Sequence, residues 1–215
     1  MLPHCRVIAD IGCDHGKLAM YLLQTEKCQS IIATDISAAS LQKAIDASLH
    51  LGLNDHVVFR VGDGLSVLAP NEVQAVFIGG MGGLLISRII KAAESTASAL
   101  ECMVLAPMQQ SCLLRRFLRE NGFRIEAEEA VREGSHVYPI LRVVKGVSDY
   151  PVDMDAEFLD DFGPKLWQQR SSLLIQKLRR RHREYEMKIR LGREEYVHRI
   201  ALIDSALTLI KEEPQ

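Results

Sequence analysis

From residue 5 to residue 145, short β-rich runs alternate with longer helical ones. Val7–Ile11 is a compact apolar run and predicts a strand. His15–Gln24 follows as a helix, with Leu18, Ala19, Leu22 and Leu23 on one face. Ser30–Asp35 predicts a second strand. Ser37 reads as the N-cap of a helix that runs to Leu51 and stops at Gly52. Val57–Val61, Val73–Ile78 and Glu101–Ala106 read as three more strands, with helices at Leu84–Glu94 and Ser111–Asn121. Phe123–Val131 and Tyr138–Val144 complete the sheet as an antiparallel pair. Strands alternating with helices of about 10–15 residues predict an α/β fold with a doubly wound, mostly parallel sheet. Its ligands belong at the carboxyl ends of the strands, where the strand order reverses.

The periodicity breaks in residues 146–164, which hold two prolines, two glycines and six acidic residues. From Lys165 a helical pattern returns, with Leu174, Leu178, Tyr185 and Ile189 on one face. After Gly192 a second set follows: Tyr196, Ile200, Ile203, Leu207 and Ile210. Two antiparallel helices turning at Gly192 are favoured over one long helix in a coiled coil with another chain. The expected division is an α/β domain at 1–146, a linker at 147–164 and a helical hairpin at 165–215.

Composition narrows the class. With 47% hydrophobic and 25% charged residues, the chain is an ordinary globular one, and 6% aromatics imply an aliphatic core. The five cysteines, Cys5, Cys13, Cys28, Cys102 and Cys112, form no C-x-x-C pair, so neither a disulfide framework nor a metal site is expected. No apolar run is long enough for a membrane span and no signal peptide is visible, so a cytoplasmic protein is expected. The net charge of −2 hides an asymmetry. Residues 1–164 hold 14 Lys+Arg against 21 Asp+Glu, whereas residues 165–193 hold 10 against 2. That basic band suggests an anionic partner, with a solvated helix face as the alternative.

Four motifs carry the chemistry, each just after a strand. The first, Asp10-Ile11-Gly12-Cys13-Asp14-His15-Gly16, lacks the dinucleotide G-x-G-x-x-G spacing. It resembles the looser glycine loop of class I methyltransferases, with Asp14 where glycine is more usual. Asp10 can hold that loop or meet a cofactor's ammonium group. The second is Asp35, which ends the second strand and can accept both ribose hydroxyls of an adenosine; Ile36 beside it joins the cofactor set. Ser37 already serves as the helix cap, which leaves Asp35 available. The third is Gly62-Asp63-Gly64, whose carboxylate can bond an exocyclic adenine amine. The fourth, Gly79-Gly80-Met81-Gly82-Gly83, removes side chains where a substrate and a transferable group must meet, and opens a helix whose first N–H groups are unpaired.

Taken together, DIGCDHGKL, GDGL, GGMGG and the helical extension resemble the bacterial tRNA (adenine-22, N1) methyltransferases over about residues 7–210. The resemblance implies a Rossmann-like class I methyltransferase sheet with a coiled-coil-like helical domain. It also implies S-adenosylmethionine (SAM) as cofactor and methyl transfer to N1 of an adenine in the tRNA D-arm region. Gly12, Asp14 and His15 match its first motif, Asp35 its acidic position, Asp63 and Gly64 its adenine-proximal turn, and Gly79, Gly80, Met81 and Gly82 its catalytic-side loop. The chain departs from the family in three ways. It starts almost at the first strand, where the family carries a further helix, and its extension is somewhat short. After the fifth strand it reads Leu105-Ala106-Pro107-Met108-Gln109, where the family has Gln before the proline and often Asn after it. Gln109 or Gln110 would then have to supply the missing amide.

N1 of adenine already carries a lone pair at neutral pH, so positioning rather than a strong base would drive the transfer. A carboxylate near the base would offset the charge that develops; Asp14 is the first candidate and His15 the second, with a helix-capping role for Asp14 equally open. The target base would have to leave its stack, and the tRNA would be held mainly through phosphates. The expected footprint is Lys177, Arg179, Arg180, Arg181, Arg183, Lys188 and Arg190, with Arg115, Arg116 and Arg119 as a second cluster. A methyltransferase for another RNA or a small molecule, and a non-catalytic SAM-binding module, are the competing readings. A monomer or weak homodimer is expected.

Overall fold

A computed structural model of the chain describes residues 1–134 and 136–212. Its contacts divide the chain into two compact units, Met1–Ser148 and Asp149–Gln215.

The first unit is built on seven strands: β1 (Cys5–Ile11), β2 (Cys28–Asp35), β3 (Val57–Val61), β4 (Ala75–Gly79), β5 (Cys102–Ala106), β6 (Phe123–Glu133) and β7 (His136–Lys145). The strands lie in the order β3-β2-β1-β4-β5-β7-β6. All neighbours from β3 to β5 are parallel, and β7 runs antiparallel to both β5 and β6. The central strands are aliphatic throughout, and Ile8, Ala9, Ile31, Ala33, Val76, Ile78, Met103 and Leu105 are all buried. A sheet covered on both faces needs helices on both, which the crossovers supply. These are α1 (Lys17–Gln24), α2 (Ala38–Leu51), α3 (Gly83–Ala92), α4 (Glu94–Ala99) and α5 (Ser111–Glu120). The caps read from the sequence are in place: Ser37 Oγ accepts the Ser40 N–H at 3.2 Å, and Gly52 closes α2 at φ 67°.

Two features at the far edge were not legible. The β6–β7 ladder continues to Glu133 opposite His136, whereas β5 pairs with β7 only at Met103–Leu105. The hairpin therefore runs past the carboxyl end of β5 as an arm. Within it, a register shift between Ile125 and Ala127 changes which residues face inward: Phe123 and Ile125 are buried, and then Glu128. Glu128 Oε1 accepts two hydrogen bonds from Arg115, at 2.9 Å from Nε and 2.6 Å from Nη2, and both side chains are fully buried. Arg115 was expected to face RNA, and the structure corrects this. It lies on the inner face of α5 with Leu114 and Leu118, because the bulge delivers a carboxylate there.

The second unit contains α6 (Ala156–Phe162), α7 (Pro164–Gln168), α8 (Ser172–Arg190) and α9 (Val197–Glu212). The stretch expected as a linker thus holds α6. Its acidic, proline-containing composition masked a helix signal: Asp155 caps the Glu157 and Phe158 N–H groups, and Phe158, Leu159 and Phe162 are buried. Trp167 packs edge-on to Phe158 at 5.6 Å, with Arg170 over its face at 3.7 Å. The helices α8 and α9 form a hairpin in which Leu174, Leu178, Tyr185, Ile203 and Ala206 are buried. Gly192 takes φ 80° in the turn, and Tyr185 and Tyr196 pack at 4.8 Å beside it.

Removing Arg115 takes two hydrogen bonds from a fully buried carboxylate, Glu128. Arg115→Ala should cost about 3–5 kcal/mol in urea denaturation, and Arg115→Met combined with Glu128→Leu should recover most of that loss.

Candidate active site at the carboxyl edge of the sheet

The chain passes from β1 to β2 to β3 on one side and then re-enters at β4 on the other side of β1. Crossovers leave β1 and β4 in opposite directions, so the carboxyl ends of these two strands stay uncovered. The motif residues stand along this edge in strand order. Asp63 follows β3 and is exposed. Asp35 ends β2, half-buried, and Ile36 beside it is 74% exposed. The loop Gly12–Gly16 follows β1, and Gly80–Gly82 links β4 to α3. Pro107–Gln110 follows β5. Neighbouring strands lie about 4.8 Å apart, so four spacings from β3 to β5 span roughly 19 Å. That matches a nucleoside with an amino-acid tail, followed by a second base.

Asp35 is the tie between the first two loops. Its Oδ2 accepts the Asp14 N–H at 3.0 Å and its Oδ1 accepts the Ser37 N–H at 2.8 Å. Sequence reasoning left this carboxylate without a backbone partner; the structure gives each oxygen one. The reason is that the β1 loop crosses the end of β2, where its peptide groups need acceptors: the Gly12 and Cys13 N–H groups both go to the Thr34 carbonyl. Each Asp35 oxygen keeps a second lone pair for a ligand hydroxyl.

Asp10 lies beneath this loop at 3% exposure. Its Oδ2 and the Thr34 Oγ1 on β2 are buried without a hydrogen-bond partner. Burial pushes the Asp10 carboxyl up to about 7; the Ala19 N–H opposes the shift and the Asp35 charge adds to it. An orphaned buried carboxyl is the kind of group that a cationic ligand at the loop would ionise.

Asp14 sits in the left-handed region at φ 48°. Its carboxylate meets His15 Nδ1 at 2.6 Å, and that bond, with Lys43 and Ser40 nearby, holds it below the usual carboxylate range. Ser40 and Lys43 belong to α2, so the group is turned to the β2 side of the loop. His15 is thus the hydrogen-bond partner of Asp14, and both side chains stay exposed at the loop.

Gly12 and the β4 loop touch. A Cβ on Gly12, at φ 71°, would stand 2.8 Å from the Met81 Cε. The missing side chain therefore makes room for Met81. The β4 and β5 loops are clipped together: the Met108 N–H donates to the Met81 carbonyl at 2.9 Å, and the Gly83 N–H to the Gln109 carbonyl at 2.8 Å. Met108, Leu84 and Leu85 are exposed apolar side chains on these same segments. Sequence reasoning marked Met108 as a departure from the family's amide but missed the clip, which joins two loops distant in sequence.

The helical unit sorts its basic residues. Lys177 is engaged locally, donating to the Asp161 carbonyl at 2.7 Å. Arg180 and Arg181 pair with Glu184 at 3.7 and 2.7 Å. Lys188 lies over the Tyr196 ring at 4.5 Å. Arg179, Arg183 and Arg190 are exposed, and their spacing of four and seven residues aligns them on one face of α8. Arg116 and Arg119 are half-buried on α5 of the first unit. Among the described residues no cluster of His, Cys, Asp and Glu could hold a metal ion, and no helix is long and apolar enough to cross a membrane.

The family described as tRNA (adenine(22)-N(1))-methyltransferase matches residues 8–212. The Bacillus subtilis protein of that name is 30% identical over 179 residues, covering 82% of this chain and 74% of its own length. The structure of Streptococcus pneumoniae Sp1610 in complex with S-adenosyl-L-methionine superposes with a TM-score of 0.86 at 27% identity, covering 96% of this chain and 94% of that one. The B. subtilis m1A22 tRNA methyltransferase structure gives 0.82 at 25% identity, covering 98% and 93%.

The Asp10 shift has a consequence for stability. Its folded value lies above the unfolded one of 3.8, so the folded chain binds the extra proton. That contribution is full below about pH 4 and is lost as pH rises through 7, at most about 1.4 kcal/mol per pH unit. In urea titrations at pH 5, 6, 7 and 8, wild type minus Asp10→Asn should fall across this window and flatten above it.

Proposed function

The chain belongs to the tRNA (adenine(22)-N(1))-methyltransferase family, and on that premise we propose that it methylates N1 of adenine 22 in the D-arm region of tRNA, using SAM held along the carboxyl edge of its sheet. The observation that carries this reading is the row of Asp63, Asp35, the Gly12 loop and the Met81 loop in strand order across the point where the sheet reverses. SAM, when bound, supplies an electrophilic methyl group on a sulfonium.

This chain's residues bind and orient. Asp35 takes the ribose hydroxyls with the lone pairs that its backbone bonds leave over, and Asp63 takes the exocyclic amine of the adenine. Ile36, uncovered beside Asp35, packs on the adenine face, and Gly64, at φ 56° with Ile89 where a side chain would stand, shapes the turn that presents Asp63. Asp10 sits under the methionine end and releases its proton when a cationic group settles above it. Gly12 and Gly80 keep that end open, and Met81 closes it from the β4 side. The Asp14–His15 pair braces the loop against α2.

No residue need remove a proton before attack, because N1 presents its lone pair directly. The task left to the site is to hold the base in line and dry. Accurate positioning is worth up to about 7–11 kcal/mol of barrier. Met108, Leu84 and Leu85 supply an apolar surface for a base that has left its stack. Arg179, Arg183 and Arg190 give α8 a stripe suited to phosphates, with Arg180, Arg181 and Lys177 in support. A tRNA substrate also places the work in the cytoplasm.

The test is transfer of labelled methyl from SAM into unmodified tRNA with adenine at position 22, beside the same tRNA with guanine there. Label in the first only, recovered as 1-methyladenosine, is expected. Label in neither, or equal label in both, overturns the proposal.

A further inference from the structure

The residue that opens α5 is built against its own preferences. Gln110 adopts φ 55°, ψ 36°, a left-handed conformation that glycine and asparagine visit and glutamine rarely does. It occupies the N-cap of α5, yet its side chain makes no capping bond. Its backbone carbonyl opens the helix, accepting the Leu113 and Leu114 N–H groups at 3.1 and 3.3 Å, so the strained cap is served by the main chain and the carboxamide is left for another task.

The β4 loop holds it there. The Gln110 carbonyl oxygen lies 2.4 Å from where a Cβ on Gly83 would stand, so only glycine at 83 permits this approach. The Gln110 Oε1 lies 3.6 Å from the corresponding position on Gly82, which places the carboxamide over the glycine run. Gly82 and Gln109 pair as a parallel bridge, and the Gly83 N–H to Gln109 carbonyl bond locks the crossing. The side chain is exposed at the carboxyl edge, next to Met81, which reaches Gly12 from the same loop.

We propose that the Gln110 carboxamide reads the N6/N7 edge of the target adenine; this rests on the function proposed above. An enzyme that alkylates N1 cannot use the Watson–Crick edge for recognition, because that edge must face the methyl donor. The edge left over presents an N6–H donor beside the N7 acceptor. A carboxamide matches both, its oxygen accepting from N6 and its N–H donating to N7. Guanine offers two acceptors there, O6 and N7, and its N1 carries a proton, so the same group rejects it. As N1 uses its lone pair to form the new C–N bond, the positive charge given up by the sulfonium spreads to N6. The accepting oxygen of Gln110 then strengthens its hold in the transition state. This makes Gln110 a specificity-determining residue, supplied from the helix cap rather than from the positions flanking Pro107.

The experiment compares tRNA carrying adenosine or 7-deazaadenosine at position 22, which lacks the N7 acceptor. The enzymes are wild type, Gln110→Ala, Gln110→Glu and Gln110→Asn, read as kcat/KM beside SAM affinity and Tm. Gln110→Ala should lose about 10- to 100-fold on adenosine. The 7-deaza substitution should cost wild type about 10-fold and the alanine variant less than about twofold. Gln110→Glu keeps the acceptor for N6 and sets a second acceptor against N7, so it should show no 7-deaza penalty. Gln110→Asn suits the left-handed conformation and retains the amide, so it keeps the fold and should retain part of the 7-deaza penalty. SAM affinity should be unchanged in all three variants. An equal 7-deaza penalty in wild type and Gln110→Ala overturns the proposal, whatever the absolute rates. Wild type inactive on adenosine-22 tRNA would overturn the methyltransferase reading itself, and is seen before any variant is compared.

Discussion

One topological constraint organises the molecule: strand order reverses at β1. Because β2 and β4 both lie beside β1 and their crossovers leave in opposite directions, the ends of β1 and β4 cannot be covered by the chain's own helices. The exposed peptide groups there still need partners. They find them within the loops themselves, through the Thr34 carbonyl, the Asp35 carboxylate and the carbonyls of Met81 and Gln109. The open edge is therefore rigid as well as accessible, and a site that works by positioning needs both properties.

Charge follows the same logic. Asp35 and Asp63 are accessible, and Asp14 is held ionised by His15, whereas Asp10 is buried and drawn toward its neutral form. Four carboxylates along one edge thus play different parts set by burial and neighbours. The two buried charges of the sheet's far side, Arg115 and Glu128, are spent on holding α5 to β6. They fix the start of α5, and with it Gln110, against the β4 loop.

Much of this was legible in the sequence. The strands at Val57–Val61 and Glu101–Ala106, the capped helix after Ser37 and the helical turn at Gly192 followed from period, caps and glycine, which are local signals. The placement of Asp35, Asp63 and the glycine loops at strand ends followed from the alternation itself. What stayed hidden depends on contacts between distant residues. Nothing in RRFLRE marks Arg115 as the buried arginine; a bulge ten residues downstream decides it. Asp14 could not be oriented without α2, and the left-handed Gln110 has no composition signal because Gly83 on another loop makes it tolerable. The α6 helix was masked by the acidic residues that cap it.

The central claim is that the carboxyl edge, from Asp63 to the Met81 loop, holds the methyl donor. Calorimetric titration of SAM into the wild-type chain and Asp63→Ala tests it most directly, because Asp63 is exposed and its side chain makes no capping bond. The account predicts one site per chain, with affinity falling about 10- to 150-fold in Asp63→Ala at unchanged Tm, the loss expected for one hydrogen bond to a charged group. Equal affinity in the two proteins would contradict it.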